Sequence, residues 1–237
     1  MPELSPIRVA FLLFPDVTQL DLTGPAQVLS RLGNTTIDLV AKTLDPVMTD
    51  AGFALLPTAT FDSAAQPDIL CIPGGMGVND AMEDAATLAW VQRAAAGADW
   101  ITSVCTGSLV LGAAGLLQGY EATCHWSQHR HLAAFGAIPI RQRVVIDRNR
   151  ATGGGVTAGI DFALSLVATI RGEAHAKFVQ LSLEYDPKPP FDSGSPDRAD
   201  PATLARFQAL AAKNGPARDE RTLAAAARLK GGLSGSR

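Results

Sequence analysis

Short apolar runs alternate along the chain with longer segments in which apolar residues recur at helical spacing. Four apolar runs predict buried strands, at residues 8–14, 36–42, 67–75 and 100–104. Helical spacing predicts four helices, at residues 23–32, 83–96, 107–117 and 157–172. A hairpin is predicted within residues 143–155, with its turn at 147–149. Because the strands are apolar throughout and are separated by helices, the pattern indicates an α/β fold whose parallel sheet is covered on both faces.

The clearest break in this pattern is the segment 185–201, which carries five prolines. It divides the chain into a predicted α/β domain, residues 1–201, and a C-terminal helical extension with a frayed end, residues 202–237. The extension is rich in Ala and Leu at i, i+4 spacing, and its basic residues outnumber its acidic ones. Since that charge is spread thinly and is not interleaved with aromatic residues, docking on the domain or on a partner subunit is favoured over nucleic-acid binding.

Composition narrows the possible classes of protein. With 47% hydrophobic residues among 237, the chain can bury a sizeable core without disulfides or a metal. A net charge of -3 provides no electrostatic footprint for nucleic acid or for an anionic membrane. The N-terminal apolar run is too short for a signal peptide or a membrane span. The three cysteines are widely spaced, so we expect free thiols in a reducing cytoplasm.

One of these cysteines, Cys105, lies where the run 100–104 gives way to a helical pattern. At such a junction a tight turn lifts the side chain clear of the sheet, and the free N–H groups of the helix lower the pKa of a thiol. Cys105 is therefore predicted to be an exposed nucleophile. Cys71 is interpreted as a small buried hydrophobe, and Cys124 is not paired with its neighbour His125, because neighbours on a strand point to opposite faces.

Asp21 is a lone carboxylate between Leu20 and Leu22, just after the first predicted strand. Two interpretations stay open. Asp21 can cap a helix that begins at Gly24-Pro25. Alternatively it lies near a thiolate, where burial and like charge raise the pKa of its carboxyl group and prepare it to act as a general acid.

Histidines and glycines supply the other candidate groups. His125, His129 and His131 cluster without a carboxylate, so we interpret their segment as a solvated helix start and expect no metal site. Gly74 and Gly75 follow a predicted strand, where their N–H groups can stabilise developing negative charge. The stretch "TGGGVTAG", residues 152–159, lacks the lysine of a phosphate-binding loop and is interpreted as close packing beside the pocket.

Five ordered motifs resemble the DJ-1/PfpI superfamily over most of residues 7–190. They are "FPDVTQLDLTGP", "IPGGMG", "SVCTGSLVLGAAGLLQG", "ATCHW" and "TGGGVTAGIDFALSL". The resemblance implies a flavodoxin-like, doubly wound and mainly parallel sheet, a cysteine at a strained elbow, and a homodimer.

Within the superfamily, Asp21 together with the dipeptide Cys105-Thr106 resembles the branch that hydrates isocyanides, and peptidase-like members have a His where this chain has Thr106. The resemblance implies a cofactor-independent hydro-lyase that converts a small isocyanide into an N-substituted formamide through a thioimidate on Cys105. Asp21 would then transfer protons and Thr106 would position the reacting groups. Gly74, Gly75 and Val156 complete the expected site as substrate-binding residues.

Three other functions remain open. The same scaffold supports glyoxalase-type hydration of small α-oxoaldehydes. The opening motif and "TCHW" also resemble the sensing domains of AraC-type regulators, although the residues after Pro201 are too few for the two DNA-binding motifs of those proteins. A redox sensor would use the same accessible cysteine.

Overall fold

The strands of the computed structural model, which describes residues 5–234, form one large sheet and two small ones. The described residues contain eleven strands: β1 (Ile7–Leu12), β2 (Thr35–Ala41), β3 (Val47–Met48), β4 (Ala54–Leu55), β5 (Ala59–Thr60), β6 (Ile69–Ile72), β7 (Trp100–Val104), β8 (Glu121–Ala122), β9 (Ile138–Pro139), β10 (Val144–Asp147) and β11 (Arg150–Gly153). The large sheet has the order β10-β11-β7-β6-β1-β2-β5. Every pairing in it is parallel except the β10–β11 hairpin. The predicted α/β fold with a mainly parallel sheet is confirmed.

The helices cover this sheet. The described residues contain seven α-helices: α1 (Gln19–Leu29), α2 (Val78–Glu83), α3 (Ala85–Ala96), α4 (Gly107–Ala113), α5 (Ala158–Arg171), α6 (Glu173–Ser182) and α7 (Pro201–Ser234). A 3₁₀ helix follows β8 at His129–Phe135. One continuous apolar core joins the sheet to the helices, and β6 and β7 are almost wholly buried. The central strands thus hold their carboxyl ends, where the predicted site lies, in a rigid frame.

Three predicted helices have other limits in the structure. Helix α1 begins at Gln19 instead of residue 23, so Gly24 and Pro25 lie inside it. The predicted helix 83–96 is α3, which begins at Ala85 because the Asp84 side chain accepts a hydrogen bond from the Thr87 N–H and caps it, and Glu83 instead ends α2, which was not predicted. Helix α4 stops at Ala113, shortly before Gly115 takes a positive φ of 79°.

The second half of α7 packs against the α/β layer. Ala225 and Ala226 are buried. Arg221 forms ion pairs with Asp80 and Glu83 on α2. The segment 185–200 between α6 and α7 contains neither helix nor strand. Among residues 5–234, no helix combines the length and the apolar character needed to cross a bilayer.

Candidate active site

Cys105 occupies a strained turn between β7 and α4. Its φ is 57°, in the left-handed region that side chains other than glycine rarely adopt. The turn is held from two sides, since the Cys105 N–H donates to Gly153 O (3.1 Å) and Cys105 O accepts from the His125 N–H (3.3 Å). A β-carbon at Gly107 would lie 2.1 Å from Ile72 O, so only glycine lets α4 start this close to β6. The predicted elbow is confirmed.

The Asp21 carboxyl group lies inside the first turn of α1 and is fully buried. Thr18 occupies the N-cap position, so the interpretation of Asp21 as a helix cap is wrong. Asp21 Oδ2 accepts a hydrogen bond from the Gly74 N–H (2.9 Å). Oδ1 is buried and has no hydrogen-bond partner of good geometry among the described residues. The Cys105 thiol contacts the same carboxyl group, and this contact lowers the pKa of Asp21 and raises the pKa of Cys105.

Thr106 and the two glycines after β6 hold the carboxyl group beside the elbow. The Gly75 N–H donates to Thr106 Oγ1 (3.1 Å). A β-carbon at Gly74 would lie 2.6 Å from Thr106 Oγ1 and 2.8 Å from Asp21 Oδ2, so this close approach requires glycine. The sequence predicts that these two N–H groups stabilise charge on an intermediate. In the structure they are already engaged, one by Asp21 and the other by Thr106, and are not free donors.

The pKa values of the pair differ in part from the sequence prediction. Burial raises the pKa of Asp21 to about 7, as expected, and Asp50 contributes a smaller like-charge effect. Cys105 was expected to be exposed and to have a lowered pKa, but only 6% of it is accessible to solvent. Burial, Asp21 and Cys124 raise the pKa of the thiol well above its ordinary value, and these effects outweigh the lowering by the Thr106 N–H. The thiol therefore stays protonated at neutral pH until a base removes its proton.

The histidines do not form a metal site. His131 is buried and pairs with Asp219 (2.8 Å), and His129 Nε2 lies 3.0 Å from Ile140 O. The segment is therefore a partly buried 3₁₀ helix, and its interpretation as a solvated helix start is wrong. No group of three or more metal-ligating side chains occurs within residues 5–234.

The stretch 152–159 packs closely against the site. A β-carbon at Gly155 would lie 3.3 Å from the His125 ring, and one at Gly159 would lie 3.1 Å from Pro25 Cδ. Val156 is half-buried against the core, and its role in substrate binding stays a prediction. Two neighbours of the elbow were not predicted. Cys124 is buried near the thiol, and α7 reaches the residue after Gly75 through Arg218. Only the long-range contacts reveal them.

The DJ-1/PfpI family profile matches residues 7–169 of this sequence. The chain belongs to the DJ-1/PfpI family. It is 53% identical over 223 residues to an isonitrile hydratase of Pseudomonas putida, covering 94% of this chain and 98% of that protein. It is 30% identical to the helix-turn-helix transcriptional regulator GbdR of Pseudomonas aeruginosa, covering 77% of this chain but 52% of the regulator. The crystal structure of a ThiJ/PfpI family protein from Pseudomonas syringae superposes with a TM-score of 0.90 at 47% identity, covering 95% of this chain and 92% of that one. Helices α6 and α7 lie outside the DJ-1/PfpI match.

Proposed function

We propose that this protein is an enzyme that hydrates isocyanides (isonitriles) to N-substituted formamides, with Cys105 as the nucleophile and Asp21 as the proton carrier. The observation that carries the proposal is the buried thiol–carboxyl pair, in which Asp21 has a pKa of about 7 and the thiol a pKa well above its ordinary value. The similarity to the isonitrile hydratase over almost the whole of both chains supports this choice of substrate. The match to the regulator covers only 52% of that protein, so it supports a DNA-linked function less strongly than the other match supports isocyanide hydration.

The first half of the reaction uses the single proton that the pair holds near neutral pH. As Cys105 Sγ attacks the terminal carbon of R–N≡C, the thiol proton passes to Asp21. Asp21 then gives that proton to the same carbon, and a thioimidate, R–N=CH–S–Cys105, forms. An isocyanide has no leaving group, so the step needs one nucleophile and one proton donor. Thr106, held by the Gly75 N–H, positions the reacting groups.

In the second half, Asp21 accepts a proton from water as the water oxygen adds to the thioimidate carbon. The substrate nitrogen takes up that proton, giving R–NH–CH(OH)–S–Cys105. The C–S bond then breaks, R–NH–CHO leaves, and the hydroxyl proton of this intermediate returns to the thiolate of Cys105. Both protonic roles belong to one buried carboxyl group. The overall reaction is that of a cofactor-independent hydro-lyase, since side chains of this chain supply the nucleophile and the acid–base group.

Mass spectrometry of single turnovers tests this proposal. On mixing with an alkyl isocyanide, the protein should gain the mass of one isocyanide on Cys105, and the adduct should decay to the formamide. Cys105→Ser should form no adduct, and Asp21→Asn should form or release it about 10²–10⁴-fold more slowly. A parallel reaction with methylglyoxal tests for the alternative, glyoxalase-type activity. Turnover of the aldehyde alone, or isocyanide turnover unchanged in Cys105→Ser, would overturn the proposal.

We also propose that the protein is a homodimer in a reducing, cytoplasm-like compartment. Phe178 and Leu181 on α6 are largely exposed in the single chain and are suited to a subunit contact. All three cysteines are free thiols. Light scattering should give twice the chain mass of 24.8 kDa, and a monomer mass would contradict the dimer.

A further inference from the structure

Helix α7 reaches residues on two sides of the nucleophile turn through Arg218. On one side, Arg218 Nη1 lies 3.3 Å from the sulfur of Met76, the residue after Gly75. On the other side, Arg218 is close enough to His125 to lower the pKa of its imidazole, an effect second to burial. The His125 N–H donates to Cys105 O. The guanidinium group therefore lies against the residue that follows Gly75 and near the histidine whose N–H holds the Cys105 carbonyl.

The position of Arg218 is fixed by a buried amide. Asn79 Nδ2 donates to Arg218 O (3.2 Å), and Arg218 Nε donates to Asn79 Oδ1 (3.3 Å). Asn79 is itself buried at the start of α2, and it also donates to Thr222 of α7. Two contacts from one side chain orient both the backbone and the guanidinium group of Arg218, which lowers the entropy cost of binding a ligand there.

The charge of Arg218 is not compensated by a carboxylate. The neighbouring carboxylate, Asp219, forms ion pairs with Arg130 and His131. The carboxylates of Asp80 and Glu83 form ion pairs with Arg221. Within the described part of the chain, Arg218 forms no ion pair, and its side-chain partners are an amide oxygen and a thioether sulfur. A half-buried guanidinium with neutral partners keeps donors that match the two oxygens of a carboxylate.

We propose that Arg218 selects isocyanides whose substituent carries a carboxylate, which it binds while the terminal carbon lies at Cys105 Sγ. The inference rests on the proposed isocyanide hydration and adds a substrate class to it. Arg218 acts in specificity and takes no part in proton transfer. It therefore changes the apparent affinity for acidic substrates and not the chemical step.

Paired substrates test this assignment. A short series of ω-isocyanoalkanoates is compared with the corresponding primary amides, which have the same number of heavy atoms and no charge. For the best chain length, the wild-type kcat/KM should favour the acid about tenfold, chiefly through a lower KM. The ratio of acid to amide should fall about tenfold in Arg218→Gln, with partial retention in Arg218→Lys.

Lys213→Gln is the matched control, because Lys213 is an exposed cation on the same helix and its removal changes the net charge equally. It should keep the wild-type ratio. An equal fall in Lys213→Gln, or a ratio near one in the wild type, would overturn the role of Arg218 while leaving the hydratase proposal intact. If the wild type converts neither of these substrates but does convert a plain alkyl isocyanide, the role of Arg218 is wrong; if it converts none of the three, the proposed function itself is wrong.

Discussion

At the scale of single residues, the proposed chemistry depends on how Asp21 and Cys105 share protons. The carboxyl group has a pKa of about 7, and the thiol titrates well above its ordinary value. Near neutral pH the dominant one-proton state is therefore the ionised carboxylate beside the neutral thiol. In that state Asp21 can accept the thiol proton as sulfur attacks, whereas a protonated Asp21 cannot.

The Asp21–Cys105 pair predicts that kcat/KM rises with pH. Below pH about 7 the carboxyl group is protonated and the pair carries two protons, so kcat/KM should rise with pH and level off above about 7. No fall is expected until the thiol ionises, which its raised pKa delays to strongly alkaline pH. The measurement is kcat/KM for an alkyl isocyanide from pH 5 to 9.

Two variants control this profile. Asp21→Asn should lose the rising limb along with most of its activity. Asp50→Asn should move the limb to lower pH, because the charge of Asp50 is one of the causes that raise the pKa of Asp21. A profile that falls from pH 6 to 8 in the wild type would contradict this account.

At the scale of elements, a strand, a strained turn and a helix present the sulfur. Strand β7 ends at Val104, Cys105 takes a left-handed φ of 57°, and α4 begins at Gly107. A residue with a β-carbon in this conformation is strained by about 1–2 kcal/mol. Hydrogen bonds to Gly153 and His125 maintain the turn despite that cost.

This strain predicts an unusual order of stability for two variants at residue 105. Cys105→Gly should be more stable than Cys105→Ala by about 1 kcal/mol, because only glycine adopts the left-handed conformation without strain. Urea unfolding of both proteins measures the difference. At Ser103, in the extended strand β7, the same pair of substitutions should give the opposite order. A more stable Ala variant at residue 105 would show that the turn relaxes without the cysteine.

At the scale of the whole molecule, the chain joins an α/β layer to a long C-terminal helix. We propose that residues 1–201 form the domain and that residues 202–237 are an extension of it, whose predicted frayed end at 235–237 lies outside the described residues. The buried Ala225 and Ala226, together with the ion pairs of Arg221 and Asp219, hold α7 over α2 and the 3₁₀ helix. This docking places Arg218 against Asn79 and Met76.

A charged side chain on the buried face of α7, at Ala225, should weaken the packing of this helix against the α/β layer. Ala225→Asp places an unpaired carboxylate at a position that is 3% exposed, so we expect a loss of about 2–4 kcal/mol of unfolding free energy or detachment of the helix. Thermal unfolding and trypsin cleavage within α7 measure the two effects. Ala224→Asp is the control, since that neighbouring position is exposed. Equal behaviour of the two variants would contradict the docking.

The sequence by itself determined the local features of this protein. The β-branched and apolar residues of 100–104 placed β7, and the turn-forming residues 147–149 placed the hairpin between β10 and β11. The elbow at Cys105 could be predicted because a strand, a tight turn and a helix follow one another within a few residues. The glycines of "TGGG", residues 152–155, indicated close packing, and a β-carbon at Gly153 or at Gly155 would lie 3.3 Å from the side chain of Phe162 or of His125, respectively.

Only the tertiary structure decided what these residues do. Asp21 and Gly74 are 53 residues apart in the chain, and their contact distinguishes a buried carboxyl group beside the elbow from a helix cap. Contacts between distant segments also raise the pKa of Cys105, engage the N–H groups of Gly74 and Gly75, and bury His131. Each depends on desolvation and on hydrogen bonds between distant segments. Spacing along one segment carries no information about the groups that other segments bring against it.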